Sequence, residues 1–129
     1  MTARARSALA VLPGLLLFAG CGPSRPATAD PERGKEALCA ALDAWKEGAR
    51  PEALKDRSPP IHVNDPDWAR GARLERYEVK ESEGKITGYD YSCPVLLWLS
   101  AGTGSATPRK VSYTIGTGGA LVVVRDIGG

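Results

Sequence analysis

The sequence predicts an α+β fold in which one N-terminal helix packs on a four-stranded antiparallel meander. Three observations carry this expectation. Apolar residues recur at helical spacing between residues 31 and 49. From Ile61 onward the apolar period shortens to two. Glycine and proline clusters then divide the chain into strand-length pieces. Helix first and strands after, joined by short turns, is the α+β order.

Each element has a local reason. Asp30 is a good helix N-cap, Pro31 suits the first helical position, and Glu32 suits the positive end of the dipole. Leu38, Ala41, Leu42, Trp45 and Ala49 form one apolar stripe. Gly48 and Pro51 bracket the exit. A short turn of helix is expected from Pro51 to Asp56, and Ser58-Pro59-Pro60 stops it. Ile61 and Val63 alternate around His62 in a brief extended piece. Asp65-Pro66-Asp67-Trp68 reads as a turn closed by Gly71.

The first expected strand covers residues 73–81, with a bulge because the step from Leu74 to Tyr77 breaks alternation. Glu83-Gly84 is the expected hairpin turn. A long second strand runs from Lys85 to Leu99. Pro94 within it calls for an edge, a bulge or a bend, since proline cannot donate to a ladder. Residues 109–117 alternate cleanly, and Gly118-Gly119 turns the chain. Leu121 to Ile127 carries a continuous Leu-Val-Val-Val run, the pattern of a central or doubly covered strand.

The first twenty residues have another character. Arg4 and Arg6 precede an apolar stretch from Ala8 to Ala19. That stretch is too short to span a bilayer, which needs roughly 20 residues, and it matches a secretory h-region. It closes on Leu17-Phe18-Ala19-Gly20-Cys21, which resembles the lipobox of a bacterial lipoprotein signal peptide, with Phe18 where Leu is usual. The resemblance implies removal of residues 1–20, acylation of Cys21 and a membrane anchor at the new N-terminus. Gly22 in place of Asp implies sorting to the outer membrane, facing the periplasm of the cell envelope. Residues 21–29 then form the lipidated cysteine and a tether of linker composition, and residues 30–129 a single domain. The alternative is an ordinary secretory signal with Cys21 incidental.

The body from about residue 30 to 127 resembles cystatin-like and NTF2-like layouts, where a helix lies in the concave face of a bent sheet. Asp65 to Tyr77 and Val111 to Asp126 also resemble segments of small uncharacterised lipoproteins of planctomycetes. That resemblance implies no activity.

Composition excludes several chemistries. Lys and Arg number 17, Asp and Glu 15, and the formal net charge is +2. That is no footprint for nucleic acid. Arg4 and Arg6 supply the whole excess, so the body from Cys21 onward is neutral. Leu, Ile, Val and Phe supply only 19 of its 109 residues. So thin an aliphatic set must lean on Ala, Trp and Tyr. One histidine and three cysteines do not make the usual four-ligand zinc site.

The remaining candidates each carry a plainer reading. Cys39 and Cys93 are the thiols left after acylation, and an oxidising compartment allows a disulfide between them. The alternative is two buried free thiols. Trp45, Tyr89 and Tyr91 are natural walls of a ligand pocket between helix and sheet, or simply core. His62 would need partners for catalysis or metal binding, and it reads as a solvent-facing loop residue. Asp65 and Asp67 resemble the start of a calcium loop, but Arg76 stands where its bidentate Glu belongs. The glycine clusters at 102–104 and 116–119 precede strands rather than a helix, so they are turns and not phosphate loops. The alternating charges from Arg70 to Lys85 suit a solvated edge strand.

The expected function is therefore a non-enzymatic, membrane-anchored binding or interaction module. It requires no metal and no cofactor. Its partner would be an envelope protein or a small ligand. The alternatives are an NTF2-like ligand-binding or enzymatic domain, and a cystatin-like hydrolase inhibitor using the Gly102–Pro108 loop beside Gly116–Gly119.

Overall fold

The computed structural model describes residues 29–100 and 107–127. Helix α1 spans Pro31–Lys46, and Asp30 caps it by accepting from the backbone N–H groups of Glu32 and Arg33. A 3-10 turn covers Pro51–Asp56. Strand β1 (Ile61–Asn64) leads into the one-turn helix α2 (Pro66–Ala69). Then come β2 (Arg73–Val79), β3 (Lys85–Thr87), β4 (Asp90–Ser100), β5 (Pro108–Gly116) and β6 (Leu121–Arg125).

The sheet corrects the expected four-stranded meander. It has six strands in the order β1-β6-β5-β4-β2, with β3 on the same edge of β4 as β2, and it curls into a half-barrel around α1. The antiparallel run β2-β4-β5-β6 is present, but two strands are added. The brief extended piece at Ile61 is a true strand, paired in parallel with β6 through Ile61↔Leu121 to Asn64↔Val124. The single strand expected from Lys85 to Leu99 is two. Gly88 at φ +63° folds the chain back between them, and Thr87 then pairs with Asp90. The hairpin turn therefore sits at Gly88-Tyr89, not at Glu83-Gly84, where a short 3-10 turn carries the chain from β2 to β3. The expected bulge is real and lies between Leu74 and Arg76.

Pro94 makes no bulge in the β4–β5 ladder and does not lie on an edge strand. It is paired with Ser112 in the middle of the strand. Its carbonyl accepts from Lys80 N–H at 2.9 Å on the β2 side. In a strand the N–H and C=O of one residue point to the same side. The missing N–H therefore faces the break between β2 and β3, where no ladder partner is required.

One core fills the concave side. Ala37, Leu38, Ala41, Leu42 and Trp45 of α1 are buried against Tyr91, Cys93, Val95 and Leu97 of β4, Tyr113 and Ile115 of β5, and Leu121 and Val123 of β6. Burying each such aliphatic side chain stabilises by about 1.5–3 kcal/mol. Two tryptophans and two tyrosines in the cluster compensate for the few aliphatics, as the composition requires. The outward-facing residues of β4, such as Ser92, Pro94, Leu96 and Trp98, are half-buried, and Arg76 lies over the Trp98 ring at 4.6 Å.

Tyr91 is seated between two glycines. A Cβ on Gly34 of α1 would stand 2.9 Å from its ring, and one on Gly84 would stand 2.2 Å from its hydroxyl. Gly84→Ala should therefore lower stability by about 1–3 kcal/mol through overpacking, measured by thermal unfolding. Tyr91→Phe in that background should recover part of the loss, because it removes the atom that clashes most. An unchanged melting temperature in Gly84→Ala would contradict this packing.

Candidate functional site

The most heavily built polar region lies at the far end of the sheet from the start of α1. Asp65 caps α2, accepting from the N–H groups of Asp67 and Trp68 at 2.9 and 3.3 Å. Its carboxylate also accepts from the Tyr113 hydroxyl at 2.6 Å and from Arg125 at 3.2 Å. Asp67 accepts from Arg70 at 2.5 Å and from Arg125. Arg109 approaches Asp67 at 3.6 Å from outside. Asp65, Asp67, Arg125 and Tyr113 are all buried.

Electrostatics follow from that closure. Burial opposes ionisation of Asp67, but the hydrogen bonds from Arg70 and Arg125 and the nearby Arg125 and Arg109 charges outweigh it and hold its pKa below the ordinary value. Burial also disfavours charge on Arg125, yet Asp65 and Asp67 keep its pKa raised. Burial and the Asp65 charge push the Tyr113 hydroxyl strongly up, so it stays a neutral donor.

The network holds α2, and α2 places Trp68. The Trp68 ring stacks on Trp45 with centroids 5.3 Å apart and planes 7° from parallel. Trp45 Nε1 donates to the Ala72 carbonyl after α2, and Trp68 Nε1 donates to the Ala49 carbonyl after α1, each at 2.8 Å. The two helix ends are thus clasped reciprocally.

Above this clasp opens a cleft of about 570 Å³ between the segments that follow α1 and α2. The two tryptophans are buried at its floor. Lys46, Arg50, Arg70 and Arg73 stand around it, against Glu47 and Glu52. Arg70 is bonded to Asp67. Among the described residues Lys46, Arg50 and Arg73 form no ion pair. In a body with no net charge, this is a local excess of cations. Guanidinium groups bind carboxylate or phosphate in a two-pronged geometry. The cleft is therefore chemically suited to an anionic group.

The structure does not bring Trp45, Tyr89 and Tyr91, the expected pocket walls, together. Trp45 lies under the basic cleft. Tyr91 is core, touching a separate depression beside Pro31 and Ile86. Tyr89 stands 60% exposed on the β3–β4 turn. Cys39 and Cys93 are free thiols, Cys39 half-buried on α1 and Cys93 buried on β4. Burial pushes both pKa values up, partly offset at Cys39 by the Tyr77 hydroxyl and at Cys93 by the Tyr91 hydroxyl. Neither is an activated thiolate. His62 is exposed on β1. Cys21 and residues 22–28 of the tether lie outside the described residues, as does most of the Gly102–Pro108 loop, whereas Ala29, expected in the tether, is buried in the core. Ser100 and Pro108, which bracket that loop, lie at the opposite end of β4 and β5 from Gly116. The residues that flank the two loops therefore lie at opposite ends of the sheet.

Arg125 was legible and overlooked. Leu121, Val123 and Arg125 share one phase of β6, so the buried face of that strand ends in an arginine. An arginine in core phase demands buried carboxylates, and Asp65 and Asp67 supply them. Among the described residues no group of three or more His, Cys, Asp or Glu side chains is arranged to hold a metal.

The Asp67 pKa is depressed in the folded state, so its contribution to stability is present above the unfolded value of 3.8 and is lost as pH falls through the folded value. The native protein should lose stability below about that pH, in calorimetry or circular dichroism. Asp67→Asn should be less stable near neutrality, with a flatter decline on acidification. An equally steep acid decline in Asp67→Asn would show that this carboxylate does not govern the transition.

Comparison of the chain with protein families, with curated proteins and with solved structures found no match. Its functional reading rests on its own residues.

Proposed function

We propose that this chain is a lipid-anchored lipoprotein of the cell envelope whose body is a non-enzymatic binding module. The cleft over Trp45 and Trp68 would receive an acidic group of its partner. The observation that carries this reading is the placement of Arg50, Arg70 and Arg73 around one open cleft. Two further features support it. The buried polar groups Asp65, Asp67, Arg125 and Tyr113 are engaged with one another inside the fold rather than turned into the cleft. The lipobox-like Leu17 to Cys21 segment and the following linker would hold the body near a membrane. There a modest affinity suffices, because tethering raises the effective concentration of anything else on that surface.

Position along α1 adds to the reading. The tether joins the body at Asp30, whereas the cleft follows Lys46. A 16-residue helix is about 24 Å long. The cleft thus stands roughly a helix length from the attachment point.

Two experiments address the two halves of this reading. Cys21→Ser should move the protein from the membrane fraction to the soluble fraction, and retention on the membrane would end the lipoprotein reading. For the cleft, tryptophan fluorescence would be titrated with an oligo-glutamate peptide and a neutral analogue. The acidic peptide should bind preferentially and weaken with salt. Arg50→Glu with Arg73→Glu should reduce its affinity about tenfold or more without changing the melting temperature. Equal binding by the double variant would refute the cleft assignment.

A further inference from the structure

Among the described residues three large apolar side chains are conspicuously exposed: Ile86 at 51%, Tyr89 at 60% and Ile127 at 81%. Two of them sit together on the β3–β4 hairpin. Ile86 pairs with Tyr91 one step before the turn, and Tyr89 lies in the turn itself. Ile127 lies past the other end of the sheet, beyond Arg125.

The hairpin shares its pole with the tether. Ile86 and Lys85 line one depression with Pro31 and Glu32 at the start of α1. Asp30 N–H donates to Thr117 Oγ1 at 3.0 Å, which brings the β5–β6 turn to the same place. Asp90 at the hairpin base pairs with Gly116 at the start of that turn. One end of the body therefore presents Ile86 and Tyr89 beside the exposed, uncharged Gly118, Gly119 and Ala120.

Charge at this pole is partly neutralised, with Glu32 and Asp90 outside any ion pair among the described residues. Glu81 is paired with Lys35 and Glu83 with Lys110. Lys85 is exposed, and its stem can lie along an apolar layer with the ammonium group in water. Tyr89 has the same two-sided character, an apolar ring with a polar tip. This is the composition that settles at the boundary between lipid headgroups and acyl chains.

The length of the tether names the occupant. Only residues 22–28 stand between Cys21, the position acylated on the lipoprotein reading, and the buried Ala29. At no more than about 3.6 Å per residue, they keep this pole within a short distance of the bilayer. We infer that the tether pole docks on the membrane surface, with Ile86 and Tyr89 inserted at the headgroup–acyl boundary. This inference rests on the lipoprotein reading above and adds an orientation to it. The body stands with α1 rising from the membrane and the basic cleft turned away from it.

The test is hydrogen exchange on the acylated full chain in protein-free vesicles of phosphatidylethanolamine and phosphatidylglycerol, against the Cys21→Ser form in solution. Amides at 88–90 and 117–120 should exchange about threefold or more slowly on vesicles, with those at 69–72 unchanged. Ile86→Glu with Tyr89→Glu should remain on the vesicles through its lipid and lose that protection. Both sites are exposed, so the variant should keep the wild-type melting temperature. If wild-type protein sediments with vesicles but shows no added protection, docking is wrong and the anchor reading survives. Protection that persists in the double variant also overturns the assignment of these side chains. If the wild-type chain is neither acylated nor membrane-bound, the lipoprotein reading fails and takes the docking with it.

Discussion

The buried ion cluster of Asp65, Asp67 and Arg125, with Tyr113 beside it, is the constraint on which the far half of the molecule depends. Helix α2 has four residues, too few to be stable by itself. It exists because Asp65 caps it while the same carboxylate is held by β5 and β6. Strand β1 ends one residue before Asp65, and its partner β6 ends on Arg125. The parallel ladder and the ion cluster therefore close at the same point. Removing one member would strand its partners without water, at about 3–5 kcal/mol. Replacing the whole set with apolar residues would be far milder, so the cluster is better understood as fixing position than as a large net source of stability.

That fixed position is transmitted outward. Trp68 meets Trp45 only if α2 stands where the cluster puts it. The reciprocal indole–carbonyl bonds then hold the ends of both helices. The cleft is the space those ends leave, with Arg50 and Arg70 just outside short helices and Arg73 at the start of β2. A change at Arg125, which does not line the cleft, would disturb the cleft by releasing its wall. At the other pole no comparable polar anchor is present among the described residues. There Tyr91 between Gly34 and Gly84 and the single bond from Asp30 to Thr117 hold the corner.

Much of this was local enough to read from the chain. The cap, first turn and buried stripe of α1 are all specified within sixteen residues, and the structure follows them. The bulge at Leu74 and the central place of the Leu-Val-Val-Val run at 121–124 were also visible in short-range patterns, although the strand stops at Arg125 rather than Ile127. The errors came where a local sign was weak or the determinant lay far away. Gly88 signals a turn, but the apolar residues around it suggested an unbroken strand. Pro94 argues against a central strand unless the neighbouring strand happens to stop beside it, which is a fact about β2 and β3. His62 and Asn64 give β1 little apolar content, and its partner lies about sixty residues on. The cleft was invisible for the same reason, since Trp45 and Trp68 are brought together by residues 109–125.

The parallel β1–β6 pair also sets an order of events in time. The strand nearest the end of the described chain is not at the rim of the sheet but between β1 and β5. β1 has no sheet neighbour until β6 is available, and Asp65 has no Arg125. Strand β1 and the Asp65 cluster must therefore wait for β6 while β2 to β5 pair among themselves, and pairings of such long sequence separation form slowly. For a protein that crosses a membrane as an unfolded thread, as the lipoprotein reading requires, the delay is useful. On that reading β1 and α2 would stay unfixed until β6 has passed, and would lock when Arg125 meets Asp65.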